Sequence, residues 1–202
     1  MTDSFVIEPL ASHHDRIAFS CGINALDRYL QTQAGQDIRR RISNCFVAVA
    51  PNTSIIAGYY TLAAASIPVT DLPPEETKRL PKYPVLPAAI VGRLAVDSRY
   101  TRRSLEHGPI KLNRTMLSIH WFAAQSYGEP VPTSPDCALG SALLFDAMQR
   151  AMRADPAVYA VVVDAKDEVA ADFYRHLGFR AFSSRRMSFF LPLATANKLR
   201  NL

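Results

Sequence analysis

Residues 161–179 read VVVDAKDEVAADFYRHLGF, and the fold prediction starts from them. Consecutive valines up to Val163 are typical of a strand that is buried on both faces. After a short turn, Asp167 is suited to accept hydrogen bonds from the first amides of a helix, and Gly178 is suited to end that helix in the left-handed conformation. We expect Phe179 to fold back under the helix. Four apolar residues at helical spacing share one face of it: Ala170, Phe173, Tyr174 and Leu177.

The rest of the chain alternates between segments typical of strands and segments typical of helices. Strands are predicted at 4–10, 45–50, 55–65, 88–96, 158–164 and 186–191, and helices at 15–34, 139–153 and 167–177. Residues 51–54, PNTS, predict a hairpin turn. Prolines repeated from Pro68 to Pro87 argue against a long helix or a central strand there, so we predict a loop with one helical turn at 75–79. This order indicates an α/β fold with a mixed sheet.

Length and charge narrow the class of protein. The chain has 202 residues, which suits one domain with a sizeable core, and a formal net charge of +5 at pH 7. The arginine excess favours a polyanionic partner such as RNA or the phosphates of CoA, although a soluble protein with a mildly basic surface has the same composition. We predict a cytoplasmic protein, because no apolar run approaches the ~20 residues that cross a bilayer and no signal-peptide pattern opens the sequence. The three cysteines have no metal-ligand spacing and fit a reducing compartment.

Several segments resemble a known family. A strand ending in VDA, followed by a helix of pattern A-x-x-F-Y-x-x-L-G-F, resembles the acyl-CoA-binding half of GNAT acetyltransferases. Four further segments resemble one branch of that superfamily, the tRNA-acetylating toxins of bacterial toxin–antitoxin pairs. They are FSCGINALDRYL at 19–30, GYYTLAAASIP at 58–68, VGRLAVD at 91–97 and LGSALLFDA at 139–147. The resemblance implies a single GNAT domain over residues 1–202, with a mixed, mostly antiparallel sheet that is splayed at the acetyl-CoA site and flanked by helices.

One segment departs from the family pattern. In the family, the strand ending in AVD leads through a short glycine-rich turn into the next helix, whereas residues 102–138 intervene here. Within this insertion, 110–127 is suited to an extra helix and 128–135 to a loop. The glycine-rich turn that binds the diphosphate is matched only at Gly140, so the phosphate contacts fall to other groups.

The resemblance implies a site for acetyl-CoA as the acetyl donor. A diphosphate is bound by the free amides at a helix N-terminus, and charged side chains beside it compensate for missing glycines. Main-chain groups of the AVD strand would pair with the pantetheine arm as an added strand does, although these are also ordinary core strand residues, and the arginines are also typical of solvated loops. The cofactor-binding residues predicted in this way are Leu94, Ala95, Val96, Arg102, Arg103, Leu139, Gly140, Ser141 and Phe173.

Tyr174 is the predicted catalytic residue. In the resembled toxins, the tyrosine of the F-Y pair donates a proton to the departing CoA thiolate. A thiol has a pKa near 8.5 and a tyrosine near 10, so the transfer is uphill but feasible when it accompanies cleavage of the thioester. The alternative is a core tyrosine whose hydroxyl lies at the rim. No strong base is required, because an α-amine of pKa about 8 is partly neutral at cellular pH.

The predicted activity is acetylation of the α-amine of aminoacyl-tRNA, which blocks translation. The tRNA would be held by phosphate contacts, which weaken with salt, from Arg39, Arg40, Arg93 and Arg185, although solvated surface charges look the same in sequence. A homodimer and a ribbon-helix-helix antitoxin are implied as partners. Two alternatives remain: a GNAT enzyme for a small amine or protein N-terminus, and a non-catalytic interaction protein.

Overall fold

The structure is a computed structural model that describes residues 5–50, 53–78, 80–103 and 135–194, without the side chains of 101–103 and 135–138. The helix predicted at 110–127 therefore lies outside the described residues. Within the described part, the strands follow the hydrogen-bonded order β1-β2-β3-β4-β5-β7-β6. The strands are β1 (Val6–Pro9), β2 (Asn44–Val49), β3 (Ile56–Pro68), β4 (Val85–Val96), β5 (Ala160–Asp164), β6 (Arg180–Ala181) and β7 (Ser188–Pro192).

Helices flank the strands in the sequence. The first helical run consists of α1 (Asn24–Arg28), a π-helical turn (Tyr29–Gln33) and α2 (Ala34–Arg39), which follow one another directly. The others are α3 (Pro74–Thr77), α4 (Ser98–Arg103), α5 (Pro135–Met152) and α6 (Glu168–His176), with a 3-10 turn at Val69–Asp71.

The chain divides into two compact units, and the first comprises residues 1–62 and 93–147. Its strands β1, β2 and the first part of β3 pair antiparallel, as the predicted hairpin requires. Gly58 is the point of closest packing, because a Cβ on it would lie 2.9 Å from Cδ1 of Leu143 and 3.0 Å from the carbonyl oxygen of Ala95. The core of this unit includes Phe19, Leu30, Val47, Ile56 and Tyr59.

The second unit comprises residues 63–92 and 148–202. Here β4 pairs parallel with β5, from Ala88 opposite Ala160 to Val91 opposite Val163, and β5 pairs antiparallel with β7. Residues 160–163 are all buried, which confirms the strand predicted from the valine run. The single domain predicted over 1–202 stays a prediction. The core of this unit includes Ile67, Leu72, Val162, Phe182 and Phe190.

Among the element boundaries that differ from the predictions, three have a clear physical reason. The helix predicted from residue 15 begins only at Asn24, because Asp15 accepts hydrogen bonds from the amides of Ile17 and Ala18 and holds a turn instead. Pro87 lies inside β4, one residue before the paired register with β5 begins at Ala88, and its carbonyl oxygen accepts from the Tyr159 amide at 2.8 Å.

The third difference concerns α5, which begins at Pro135 instead of the predicted Leu139. A proline is well suited to the first position of a helix, since the N–H it lacks has no intrahelical partner there. Residues 135–138 therefore form the first turn of the helix. The short strand β6 was not predicted at all.

Candidate functional site

Tyr174 is placed by the helix that the sequence predicts. The carboxylate of Asp167 accepts from the amide of Ala170 at 2.8 Å and caps α6, and Gly178 ends it with a φ of 87°. The Tyr174 side chain is 6% exposed. Its ring lies among Phe173, Phe179 and Phe189, at centroid distances of 5.4, 5.7 and 6.4 Å. Ala171 is buried on the same helix, while the predicted Ala170, Phe173 and Leu177 are only half-buried.

The surroundings of Tyr174 keep its hydroxyl protonated. Burial, together with the negative charge of Asp164, raises the pKa of Tyr174 to about 12. Asp164 ends β5 and accepts a hydrogen bond from the Ser188 hydroxyl at 2.6 Å. A phenol of this kind holds its proton throughout the physiological range, so the proton is present to be donated. The raised pKa also makes it a weaker acid than an ordinary tyrosine, so donation from it must be coupled to a favourable step.

The residues predicted to bind the pantetheine arm end β4 in the first unit. Ala95 is buried, whereas Leu94 and Val96 are half-buried. Ala95 contributes its methyl group to the core of that unit, and its carbonyl oxygen lies beside Gly58 of β3. Contact with acetyl-CoA stays a prediction for all three residues.

The predicted phosphate contacts divide between two helices. Leu139 is 1% exposed, and Gly140 is buried beside it in the second turn of α5, with Ser141 half-buried. Amides in the second turn bond to carbonyls of the first turn, so the amides without an intrahelical partner belong to the residues before Leu139. Arg102 and Arg103 end α4. Their side chains lie outside the described part of the chain, and their roles stay predictions.

Asp97 connects two of the segments that resemble the toxins, namely 19–30 and 91–97. Its carboxylate is 1% exposed and accepts from the amide of Ser20 at 2.9 Å and from the guanidinium of Arg99 at 2.8 Å. The guanidinium of Arg99 also donates to the carbonyl of Ala18 at 2.9 Å. Sequence reasoning gave Asp97 no role. Its position at the end of an apolar strand, directly before a helix, is the signal that identifies such a cap.

The predicted tRNA-binding arginines have different surroundings. The guanidinium of Arg93 lies 3.6 Å from the ring centroid of Tyr29, whose hydroxyl donates to Asp37 at 2.9 Å. Arg39 and Arg40 are exposed at the end of α2. These three residues belong to the first unit.

Arg185 lies in the second unit and is held in an ion pair. Its Nε donates to the carboxylate of Asp71 at 2.8 Å, and the Ser184 hydroxyl donates to the same carboxylate at 2.6 Å. These two groups hold the pKa of Asp71 below its usual value. Arg185 is therefore engaged within the protein, and its contact with tRNA stays a prediction.

Comparison with known proteins gives the geometry its context. No family model matches the chain. A protein of Sinorhizobium fredii named as probable toxin TacT is 26% identical over 204 residues, covering 96% of this chain and 94% of that protein. A tRNA-acetylating toxin of Mycobacterium tuberculosis is 27% identical over 187 residues, covering 92% and 90%.

Among solved structures, AtaT complexed with acetyl-methionyl-tRNAfMet matches with a TM-score of 0.70 and 23% identity, over 96% of this chain and 98% of that chain. The chain has the fold of the AtaT toxin. AtaT has also been solved with acetyl-CoA and the C-terminus of the antitoxin AtaR, a structure matched with a TM-score of 0.66 and 21% identity over 98% of this chain and 99% of that chain.

The two curated relatives confirm the predicted resemblance to tRNA-acetylating toxins. The match to AtaT and the strand order confirm the predicted α/β fold with a mostly antiparallel sheet. Among the residues described in this AtaT-fold chain, no helix has the length and apolar character needed to span a membrane.

The first unit also contains a cluster of possible metal ligands that the sequence analysis did not predict. Glu8, His13 and His14 each offer a metal-ligand atom within 4.8 Å of the others. However, Nδ1 of His14 accepts from the Ala11 amide at 2.9 Å, so the proton of a neutral ring is on Nε2, which lies 2.8 Å from Glu8. That proton blocks the atom facing the cluster. The arrangement therefore favours a hydrogen-bonded, buried histidine.

Proposed function

We propose that this protein is an acetyl-CoA-dependent N-acetyltransferase that acetylates the α-amine of aminoacyl-tRNA and so blocks translation. The proposal rests on Tyr174. Its phenol is buried and protonated, and it lies on α6, the helix that resembles the acyl-CoA-binding half of the family. The relatives add support, since one is a tRNA-acetylating toxin and AtaT has been solved with an acetylated aminoacyl-tRNA.

In the proposed reaction, the neutral α-amine attacks the thioester carbonyl and a C–N bond forms. The C–S bond then breaks, and the leaving thiolate takes the proton of the Tyr174 hydroxyl. The ammonium proton of the attacking nitrogen passes to water, and the tyrosinate recovers a proton from solvent. With a donor pKa of about 12 and a thiol pKa near 8.5, proton transfer to a free thiolate is uphill, so it must accompany cleavage of the C–S bond. Tyr174 would therefore act in the transition state.

Acetyl-CoA is the proposed acetyl donor, and a structure of AtaT contains it. We assign its pantetheine arm to the main chain of Leu94, Ala95 and Val96, which end β4. Its diphosphate is assigned to the start of α5, with Arg102 and Arg103 as charged neighbours and Phe173 beside the thioester. Leu139, Gly140 and Ser141 follow in the second turn of α5 and stay predicted cofactor-binding residues, with Leu139 and Gly140 buried.

The partners follow from the same proposal. A toxin of this kind requires an antitoxin, and AtaT has been solved with the antitoxin AtaR. We propose a cognate ribbon-helix-helix antitoxin, a homodimeric toxin and a cytoplasmic location.

The decisive experiment compares Tyr174→Phe with Tyr159→Phe. Tyr159 is half-buried in the same unit and its substitution removes the same hydroxyl, so it is the matched control. We expect both variants to bind acetyl-CoA in calorimetry as the natural chain does, while acetylation of bulk charged tRNA falls by about 10²–10⁴-fold in Tyr174→Phe alone. If free amino acids or peptides were acetylated as fast as charged tRNA, the protein would instead be a small-amine or N-terminal acetyltransferase. Absence of acetyl-CoA binding in the natural chain would indicate an interaction protein.

A further inference from the structure

Two arginines of the first unit approach one residue that has no side chain. A Cβ placed on Gly35 of α2 would lie 3.1 Å from Nη1 of Arg16 and 3.6 Å from Nη1 of Arg39. Two nitrogens this close to one point are near enough for a single phosphate group to contact both, because phosphate oxygens are about 2.5 Å apart and each accepts at ~2.8 Å. A methyl group on Gly35 would require only the flexible end of Arg16 to shift by a few tenths of an ångström.

The charges of this pair are not neutralised within the described part of the chain. The Arg16 guanidinium has one hydrogen bond, to the carbonyl of Ala11 at 3.3 Å, and Arg39 is exposed at the end of its helix. No described carboxylate forms an ion pair with either guanidinium, whereas Arg175, Arg180 and Arg185 each have an acidic partner. Two like charges held together in this way favour an anion.

A third arginine, Arg93, belongs to the same unit. Arg16 and Arg93 both act electrostatically on the buried thiol of Cys45. Arg93 is itself fixed over the ring of Tyr29. Arginine suits phosphate because its planar guanidinium donates two parallel hydrogen bonds.

We infer that Arg16 and Arg39, whose guanidinium groups both approach Gly35, form a phosphate-binding site that holds one backbone phosphate of the tRNA substrate. This inference rests on the proposed function, which supplies a polynucleotide substrate. It adds Arg16, a residue with no arginine neighbour in the sequence, and gives Arg39 a specific partner. Phosphates of CoA have the same chemistry, and an acidic antitoxin segment is the competing anion, so the test includes both.

The first test removes one positive charge at a time. Arg16→Gln and Arg39→Gln are compared with Arg153→Gln, an exposed arginine of the second unit that makes the same change in net charge. Binding of bulk charged tRNA is measured by the full chain between 50 and 200 mM salt. We expect about tenfold weaker binding in each of the first two variants, with a salt slope lower by about 1, and little change in the control.

The second test fills the space between the guanidinium groups. Gly35→Asp places a carboxylate where the phosphate would lie, and Gly35→Ala is its uncharged control. Because Gly35 is helical and its nearest neighbours are side-chain ends, both variants are expected to fold, which thermal unfolding checks. We expect Gly35→Asp to weaken tRNA binding at least as much as Arg16→Gln, and Gly35→Ala to remain within about twofold of the natural chain.

The outcomes separate this inference from the proposed function. Weaker tRNA binding with unchanged acetyl-CoA affinity supports the site, even if no acetylation is found. If charged tRNA is acetylated but Arg16→Gln binds it as Arg153→Gln does, the inference fails and the proposed function stands. The inference would also fail if the Arg16 and Arg39 variants lost only acetyl-CoA binding or only antitoxin binding. The anion bound by these arginines would then belong to acetyl-CoA or to the antitoxin and not to tRNA.

Discussion

The carboxylate of Asp97 accepts a hydrogen bond from the backbone amide of Ser20 at 2.9 Å, across 77 positions of sequence. The hydroxyl of Ser98 donates to the carbonyl of the same Ser20 at 2.6 Å. Asp27 binds the neighbouring amide of Cys21 at 2.8 Å. The segment before α1 is therefore held from both sides by buried or half-buried acids, and it leads into the helical run that carries Gly35 and Arg39.

Replacing Asp97 by Asn should destabilise the protein. The variant loses a charged acceptor that is 1% exposed and leaves the Ser20 amide and the Arg99 guanidinium with weaker partners. We expect the free energy of unfolding to fall by about 1.5–3 kcal/mol in urea denaturation. Asp172→Asn, which removes an exposed acid that pairs with Arg175, is the control and should change it by less than ~1 kcal/mol. An equal loss in both variants would contradict the role given to Asp97.

The same carboxylate should make stability sensitive to acid. Burial alone would raise the pKa of Asp97, but hydrogen bonds from Arg99 and from the Ser20 amide outweigh burial and hold the pKa below its ordinary value of 3.8. The unfolded chain therefore takes up this proton at a higher pH than the folded chain, and its contribution to stability is lost as pH falls from about 3.8 through the folded pKa. Denaturation midpoints at low pH should decline less steeply in Asp97→Asn, and parallel declines would refute this assignment.

The pH profile of acetylation should show no loss of activity from the proton donor. Tyr174 has a pKa of about 12, so it stays protonated between pH 6 and 9. Over that range, the single-turnover rate should rise and level off as the α-amine, of pKa about 8 or lower, loses its proton. A descending limb below pH 9 that disappears in Tyr174→Phe would show that the phenol ionises much more readily than its burial implies.

A methyl group at Gly58 should be costly. It would lie 2.9 Å from Leu143 and 3.0 Å from the Ala95 carbonyl oxygen, which is a backbone atom and cannot move aside freely. We expect Gly58→Ala to lower the free energy of unfolding by about 1–3 kcal/mol. Gly35→Ala is the matched control, because its helical position favours alanine by up to ~1 kcal/mol. Similar melting temperatures for Gly58→Ala and the natural chain would show that β3 and α5 adjust.

Local signals predicted the second half of the chain best. The cap at Asp167, the apolar spacing around Tyr174 and the left-handed Gly178 all lie within one short segment, and the structure contains each of them. The start of the first helix was misplaced because Asp15 binds the amides of a local turn and the distant Asp97 binds the Ser20 amide, a contact that nothing near Ser20 in the sequence indicates. The ion pair of Arg185 could not be predicted either, since its partner Asp71 lies 114 positions away.

The long separation between Ser20 and Asp97 has a consequence for synthesis. At ~5–20 residues per second, a ribosome needs between about 4 and 15 s to travel from one residue to the other. During that interval Ala95 has not yet been synthesised, so the core around Phe19 and Leu30 is incomplete. The Tyr60 hydroxyl also lacks its partner Asp146, which lies 2.6 Å away in the folded protein and 86 positions later in the sequence. The N-terminal third of the nascent chain therefore emerges with an incomplete core, which is completed only after the later strands are synthesised.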